Sequence, residues 1–350
     1  MKRQMQDSRK PSVDLPEVAS RSGGVQSIRY EPTLKRQAAS IKPKLVAIAW
    51  TGQVQRRRRP EVRPYREGIV SCAPGPLIDG TGKTLIANPP DDGNANINVS
   101  DHHGAIIPAV SLQLIFWGTA WTQPSTVPSA SQVTGAIQNM LAGPFMSALR
   151  QYRVGFGTLR GTTLVLSNPP NPFSSDDWHN LIWDQIDQGT FPEPDDDGGR
   201  NLYIFIPPPG VSYNQPGVCT HGYPGDFDFP ADYDRAWAGF VLNDGNIDTI
   251  TTSLSHELLE ACTDPEDDGW TIDGRSPPVD EIGDICTKTV SRVNGVAVQG
   301  YWSHFDRACV IPLVFSLRRF LLLSGRNPSQ GLRIIQPRVT SVRALVHSNI

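Results

Sequence analysis

No run of apolar residues in this chain reaches the roughly 18–20 that a membrane-spanning helix needs, so no transmembrane segment is expected. The start, Met1-Lys2-Arg3-Gln4, is followed by polar residues rather than an apolar stretch, and lacks the pattern of an ordinary signal peptide. Cysteine is scarce and odd in number: Cys72, Cys219, Cys262, Cys286 and Cys309. Five thiols cannot all pair within one chain, which excludes a fully paired disulfide framework. Cys286 and Cys309 flank an expected hairpin and are the disulfide candidate, with two buried thiols as the alternative. There is no internal repeat. The last forty residues, 311–350, contain no Asp or Glu.

The small net charge of -3 conceals segregation. Residues 1–66 carry 16 Lys/Arg against 5 Asp/Glu, residues 67–310 carry 10 against 30, and residues 311–350 carry 6 against none. The acidic body disfavours nucleic acid as its partner and suits a cation. The run Arg56-Arg57-Arg58-Arg59 reads either as a nucleic-acid or nuclear signal or as a solvated charge run. With 31 Gly and 31 Pro, much of the chain is loop and turn.

Four regions are expected: a basic, disordered leader over 1–66, a Gly/Pro/Asn-rich loop region over 67–107, a folded domain over 108–312, and a basic apolar tail over 313–350. Within the domain, Ser111 to Gly118 and Leu202 to Ile206 read as buried strands. Ser129 to Ala142 reads as a helix capped by Ser129 and stopped by Gly143-Pro144. Further helices are expected over Phe145 to Tyr152 and Asp176 to Asp187, and strands over Thr162 to Leu166 and Ala236 to Leu242. The order of strands and helices predicts an α+β fold, a twisted β-sheet with packed helices of the zincin type.

The chemistry concentrates in Ser255-His256-Glu257-Leu258-Leu259-Glu260, which reads H-E-x-x-E. A helix is expected over about 247–264, capped by Asn246 or Asp248 and ended by Asp264-Pro265. On it, His256 and Glu260 share one face, so they can bind one metal ion together. Glu257 beside them has the position of a general base. This is the zinc-peptidase helix H-E-x-x-H with its second His replaced by Glu. At about 100° per residue, Ile250, Leu254, Leu258 and Ala261 form an apolar stripe. His256 and Glu260 fall on the opposite side, where an exposed ion pair is the alternative to a metal site. A carboxylate is a harder ligand than imidazole. Zn²⁺ stays the first expectation, and the harder ligand brings in Mn²⁺ or Ca²⁺ as alternatives.

A catalytic zinc usually takes three protein ligands. Glu281, 21 residues after Glu260 in the acidic segment Asp280 to Asp284, is the preferred third. His221 and His304 are imidazole alternatives, and Asp264 and Asp284 are ligands or partners that brace the site. Tyr223, Tyr301 or His304 could stabilise an oxyanion. Trp117, Trp270 and Trp302 are candidate contacts for carbohydrate or peptide. The adjacent pair His102-His103 is a weaker metal candidate on a loop.

Several motifs occur in a consistent order: Asp101-His102-His103-Gly104, Leu114 to Gly118, Ser255 to Leu258 with Glu260 and Thr263-Asp264-Pro265, Glu281 to Cys286, and Tyr301-Trp302-Ser303 with Cys309. In this the chain resembles a group of bacterial and fungal proteins related to the plant EXORDIUM, or phosphate-induced protein 1, family. The resemblance covers roughly residues 100–312. It implies an extracellular or cell-wall-associated protein with a zincin-like helix, for which a peptide or protein substrate or a cell-wall component is the expected partner. The reading of the residues is a metal-dependent hydrolase, a zinc metallopeptidase. The alternatives are a non-enzymatic secreted module with a structural metal, and an inactive zincin that binds carbohydrate or peptide.

Overall fold

The computed structural model describes residues 45–48 and 75–315, apart from residues 95, 195–199, 216, 218, 223–235, 267 and 277–278. The four-Arg run, Cys72, Tyr223 and the tail beyond Phe315 lie outside the described residues.

In chain order the strands and α-helices begin with β1 (Leu45–Ile48), β2 (Leu77–Ile78), β3 (Leu85–Asn88), β4 (Val99–Asp101) and β5 (Ser111–Trp117). Next come α1 (Ala130–Ala142), β6 (Thr158–Val165), α2 (Ser175–Asp187), β7 (Asn201–Ile206), β8 (Cys219–Gly222), β9 (Trp237–Val241) and α3 (Ile247–Thr263). The chain then forms β10 (Trp270–Ile272), β11 (Val290–Val293), β12 (Val296–Gln299), β13 (Tyr301–Ser303) and β14 (Ala308–Pro312). This is a mixed helix and sheet chain, in keeping with the α+β class.

The main sheet has the order β1-β6-β5-β7-β9-β8. Its strands are parallel except β8, which runs antiparallel to β9 at the edge. Successive side chains of a strand point to opposite faces, and both faces here are covered. Leu112, Leu114, Phe116, Leu202 and Ile204 pack in one core with α1 and α3. Ile115, Trp117, Tyr203 and Phe205 pack in a second core with Trp178, Ile182 and Ile186 of α2. Helices on both sides explain why β5 and β7 read as unbroken apolar runs rather than alternating ones.

Helix ends follow the sequence chemistry. Ser129 and Gln132 form a capping box at α1. Asn246 caps α3 by accepting from the Asp248 N–H at 3.0 Å. Phe145 to Tyr152, expected as a helix, is 3₁₀ in form.

Two regions differ from expectation. Residues 67–107, read as loop, contain β2, β3 and β4, and residues 45–48 of the supposed leader form β1 against β6. Strand β2 pairs with β11, β3 with β14 and β4 with β10. Their partners lie some two hundred residues on, so no local hairpin signal marks them. Helix α3 was expected to be amphipathic, yet every residue from Ile250 to Thr263 is buried. It packs on β8, β9 and α1 on one side and on β12 on the other, so its polar stripe faces protein rather than water.

Candidate metal centre

The i,i+4 geometry of α3 brings His256 Nε2 to 3.0 Å from Glu260 Oε2, with both side chains almost fully buried. The third group is Asp284, whose Oδ1 lies 3.9 Å from His256 Nε2. One ligand atom each from His256, Glu260 and Asp284 falls within 4.8 Å of the others. Neither His256 Nε2 nor Asp284 Oδ1 makes a hydrogen bond among the described residues, although both are buried. Buried polar atoms are almost always bonded. Two such atoms 3.9 Å apart, together with the Glu260 carboxylate, form a donor set of one nitrogen and two oxygens that suits Zn²⁺ or Mn²⁺.

Asp284 opens a short 3₁₀ turn, Asp284–Cys286. Three features shape the turn and its place beside α3. The Glu281 N–H donates to Asp284 Oδ2 at 3.0 Å. Cys286 is disulfide-bonded to Cys309 on β14, with Cα atoms 5.4 Å apart. Gly283 lets the backbone close on the helix: a Cβ there would lie 2.4 Å from Glu260 Oε1 and 3.0 Å from His256 Nδ1.

The electrostatics favour a cation. Burial first, and then the carboxylates of Glu260 and Glu281, push Asp284 up to about 9, while the His256 ring and the Glu281 N–H act the other way. Three acidic side chains around one imidazole are thus more negative than the site tolerates without a proton or a metal ion.

The structure brings together His256, Glu260 and Asp284, and not the preferred third candidate, Glu281. Glu281 is not in the converging group. It stands three residues earlier, and the 3₁₀ turn carries Asp284 rather than Glu281 onto the helix, with Glu281 contributing charge nearby. Asp264 is committed elsewhere: it ends α3, and its Oδ1 accepts from the Gly269 N–H at 2.7 Å, bracing the following loop. His304 is exposed on the turn between β13 and β14, away from the group. His221 sits on β8 opposite Gly239, and its side chain lies outside the described residues. The Tyr301 hydroxyl donates to the Phe145 carbonyl at 2.6 Å, so it is held in the core rather than offered as an oxyanion donor. Glu257 is 2 % exposed on α3. Trp117 belongs to the core on the far face of the sheet, Trp302 is fully buried, and Trp270 packs on Tyr152, so the three tryptophans form no common surface.

Two residues escaped the sequence reading. Gly283 shapes the approach of the turn, and Gln299, at the end of β12, contacts His256 Nδ1 at 2.8 Å. The signal for Gln299 was a lone amide in the apolar run Val296 to Trp302, in which a buried polar side chain needs a partner. The described helices include none long and apolar enough to cross a membrane. The chain matches no protein-family model and none of the curated proteins.

Proposed function

We propose that this protein is a metal-dependent hydrolase of zincin-like architecture, a zinc metallopeptidase whose HExxE helix is completed by Asp284. The observation that carries the reading is the convergence of His256, Glu260 and Asp284 ligand atoms within 4.8 Å at buried positions. Three protein ligands is the usual number in a catalytic zinc site. Mn²⁺ is the next choice. Ca²⁺ takes six to eight oxygen ligands, and the imidazole nitrogen argues against it. A sheet with the His-Glu helix packed along its antiparallel edge supports the zincin reading.

A bound ion would supply Lewis acidity and make water acidic near neutral pH. The chain's own part is to hold and move protons. His256, Glu260 and Asp284 would hold the ion. Glu257, next to His256 in sequence, takes a proton from water and passes it to the leaving amine of a peptide. The extracellular or cell-wall setting implied by the EXORDIUM-like motifs belongs to the same proposal. The Cys286–Cys309 disulfide supports it, because disulfides persist in oxidising compartments.

One observation favours a second reading, a structural cation in a non-enzymatic module. His256, Glu257 and Glu260 are 0, 2 and 1 % exposed, whereas a catalytic site keeps one position open. Metal analysis and a peptide-library assay separate the two. Purified protein should hold about one ion per chain, and His256→Ala should lose it. Glu257→Gln should keep the ion and lose roughly 10²-fold or more in hydrolysis. An ion-loaded wild type without hydrolysis would select the structural reading, and absence of stoichiometric metal would sink both.

A further inference from the structure

Gln299 enters the site from the strand side. Its backbone N–H donates to Ser255 Oγ at 2.9 Å, tying the end of β12 to α3 one residue before His256. Its side-chain Nε2 lies 3.0 Å from the Gly283 carbonyl oxygen and 2.8 Å from His256 Nδ1. A carbonyl oxygen only accepts, so the amide group facing Gly283 has to be the NH₂. That same NH₂ meets His256 Nδ1, which can receive its hydrogen bond only as the unprotonated ring nitrogen. A neutral imidazole carries one N–H. It is therefore on Nε2, the nitrogen that lies 3.0 Å from Glu260 Oε2 and 3.9 Å from Asp284 Oδ1. Gln299 Oε1, at the other end of the amide, is buried and has no hydrogen-bond partner among the described residues.

A ligating imidazole has the opposite arrangement: a lone pair on the nitrogen that takes the ion, and an N–H on the other nitrogen donated to an acceptor. We propose that Gln299 is a positioning residue that keeps His256 in the wrong tautomer for a cation and so holds the cation affinity of the site down. Its amide rotates end for end before Nε2 can take an ion. The part concerning the ion rests on the metal-centre reading above, whereas the tautomer of the cation-free protein does not. After rotation, Oε1 accepts from Nδ1–H but faces the Gly283 carbonyl oxygen, so one hydrogen bond is gained against two lost. A protonated carboxyl in place of the amide has no such conflict, because one hydroxyl oxygen can donate to Gly283 O and accept from Nδ1–H. Gln299→Glu therefore presets the ring for a cation.

The test is nitrogen NMR of the His256 ring in the full chain, with Zn²⁺ as the added probe. In cation-free wild type, Nε2 should carry the proton and Nδ1 should not. On adding Zn²⁺ the proton should appear on Nδ1. Gln299→Glu should show Nδ1–H before any Zn²⁺ is added, and should bind Zn²⁺ roughly tenfold or more tightly than wild type, the low end of the effect of a ligand-orienting group. A proton on Nδ1 in cation-free wild type overturns the proposal, as does a Gln299→Glu affinity equal to or weaker than that of wild type. The two wild-type spectra decide the matter even if the variant fails to fold. If His256→Ala binds Zn²⁺ as well as wild type does, the metal-centre reading falls, and the cation-free spectrum still judges the tautomer.

Discussion

Asp284 and Glu281 differ by three positions and by what the 3₁₀ turn does with them. Both are acidic, both lie in one apolar-framed segment, and sequence spacing favoured Glu281. The structure directs Asp284 at the His256–Glu260 pair. Its carboxyl is then a liability in the cation-free protein and an asset in the loaded one, which gives a signed prediction. Asp284→Asn should raise the stability of the cation-free protein at neutral pH, because folding of the wild-type chain has to take up a proton that the unfolded carboxyl has given up. The same change should weaken Zn²⁺ binding by at least tenfold, while Glu281→Gln should change affinity far less. Thermal unfolding with and without Zn²⁺ measures both. Equal effects of the two variants on affinity would return Glu281 to the ligand set. Gly283 makes the companion case. An alanine Cβ there meets Glu260 Oε1 at 2.4 Å, the movable end of a side chain, and not backbone. Gly283→Ala should thus cost only about 1 kcal/mol of stability, at the low end of overpacking. It should displace the Glu260 carboxylate and lower Zn²⁺ affinity, and an isothermal titration matching wild type would show that the close approach does not matter.

At the scale of elements, what the sequence revealed follows from what is local. The Ser129 cap and the Gly143-Pro144 stop sit beside α1, and Asn246 beside α3, so both helices were legible to within a residue or two. The pair His256 and Glu260 was legible because the helical period alone sets it. Strands β2, β3 and β4 were not, because each is two to four residues long and pairs with a strand near the other end of the described chain. Asp284 could be named only as one candidate among several, and Gln299 was not named, for the same reason: neither belongs to α3, and both arrive by tertiary packing. The burial of the polar side of α3 was not legible, because a helical period reveals faces, not what covers them. The turn that carries Asp284 is tied to β14 by the disulfide between Cys286 and Cys309, which closes a loop with a sequence separation of 23. Chain-entropy reasoning assigns such a crosslink about 3 kcal/mol. Replacing both cysteines with serine should lower stability by about that amount and weaken Zn²⁺ binding by loosening the turn. If unfolding shifts but Zn²⁺ affinity does not, the disulfide serves the fold alone.

Over the whole molecule, the two sheet faces carry buried ionisable groups of opposite sign, and together they predict how stability varies with pH. On the α2 face, His179 is 4 % exposed, and burial holds it down to about 4 from an ordinary 6.5. A base depressed in the folded state binds its proton in the unfolded chain first. Its contribution is present above 6.5 and is lost as pH falls from 6.5 toward 4. On the α3 face, Asp284 is raised from 3.8 to about 9, an acid that keeps its proton in the folded state. Its contribution is present below 3.8 and is lost as pH rises toward 9. Between about 4 and 6.5 the two slopes oppose and largely cancel. Above 6.5 Asp284 is the one of the two that still titrates, and the cation-free protein should lose stability steadily as pH rises toward 9. A bound cation replaces that proton, so saturating Zn²⁺ should flatten the decline and release a proton on binding. Denaturant unfolding at several pH values, with a chelator and with Zn²⁺, measures the difference. A decline of the same slope in both series would mean that no cation reaches Asp284. A flat cation-free series from 6.5 to 9 would mean that its carboxyl is already ionised in the folded protein, and that the negative charge of the site is balanced some other way.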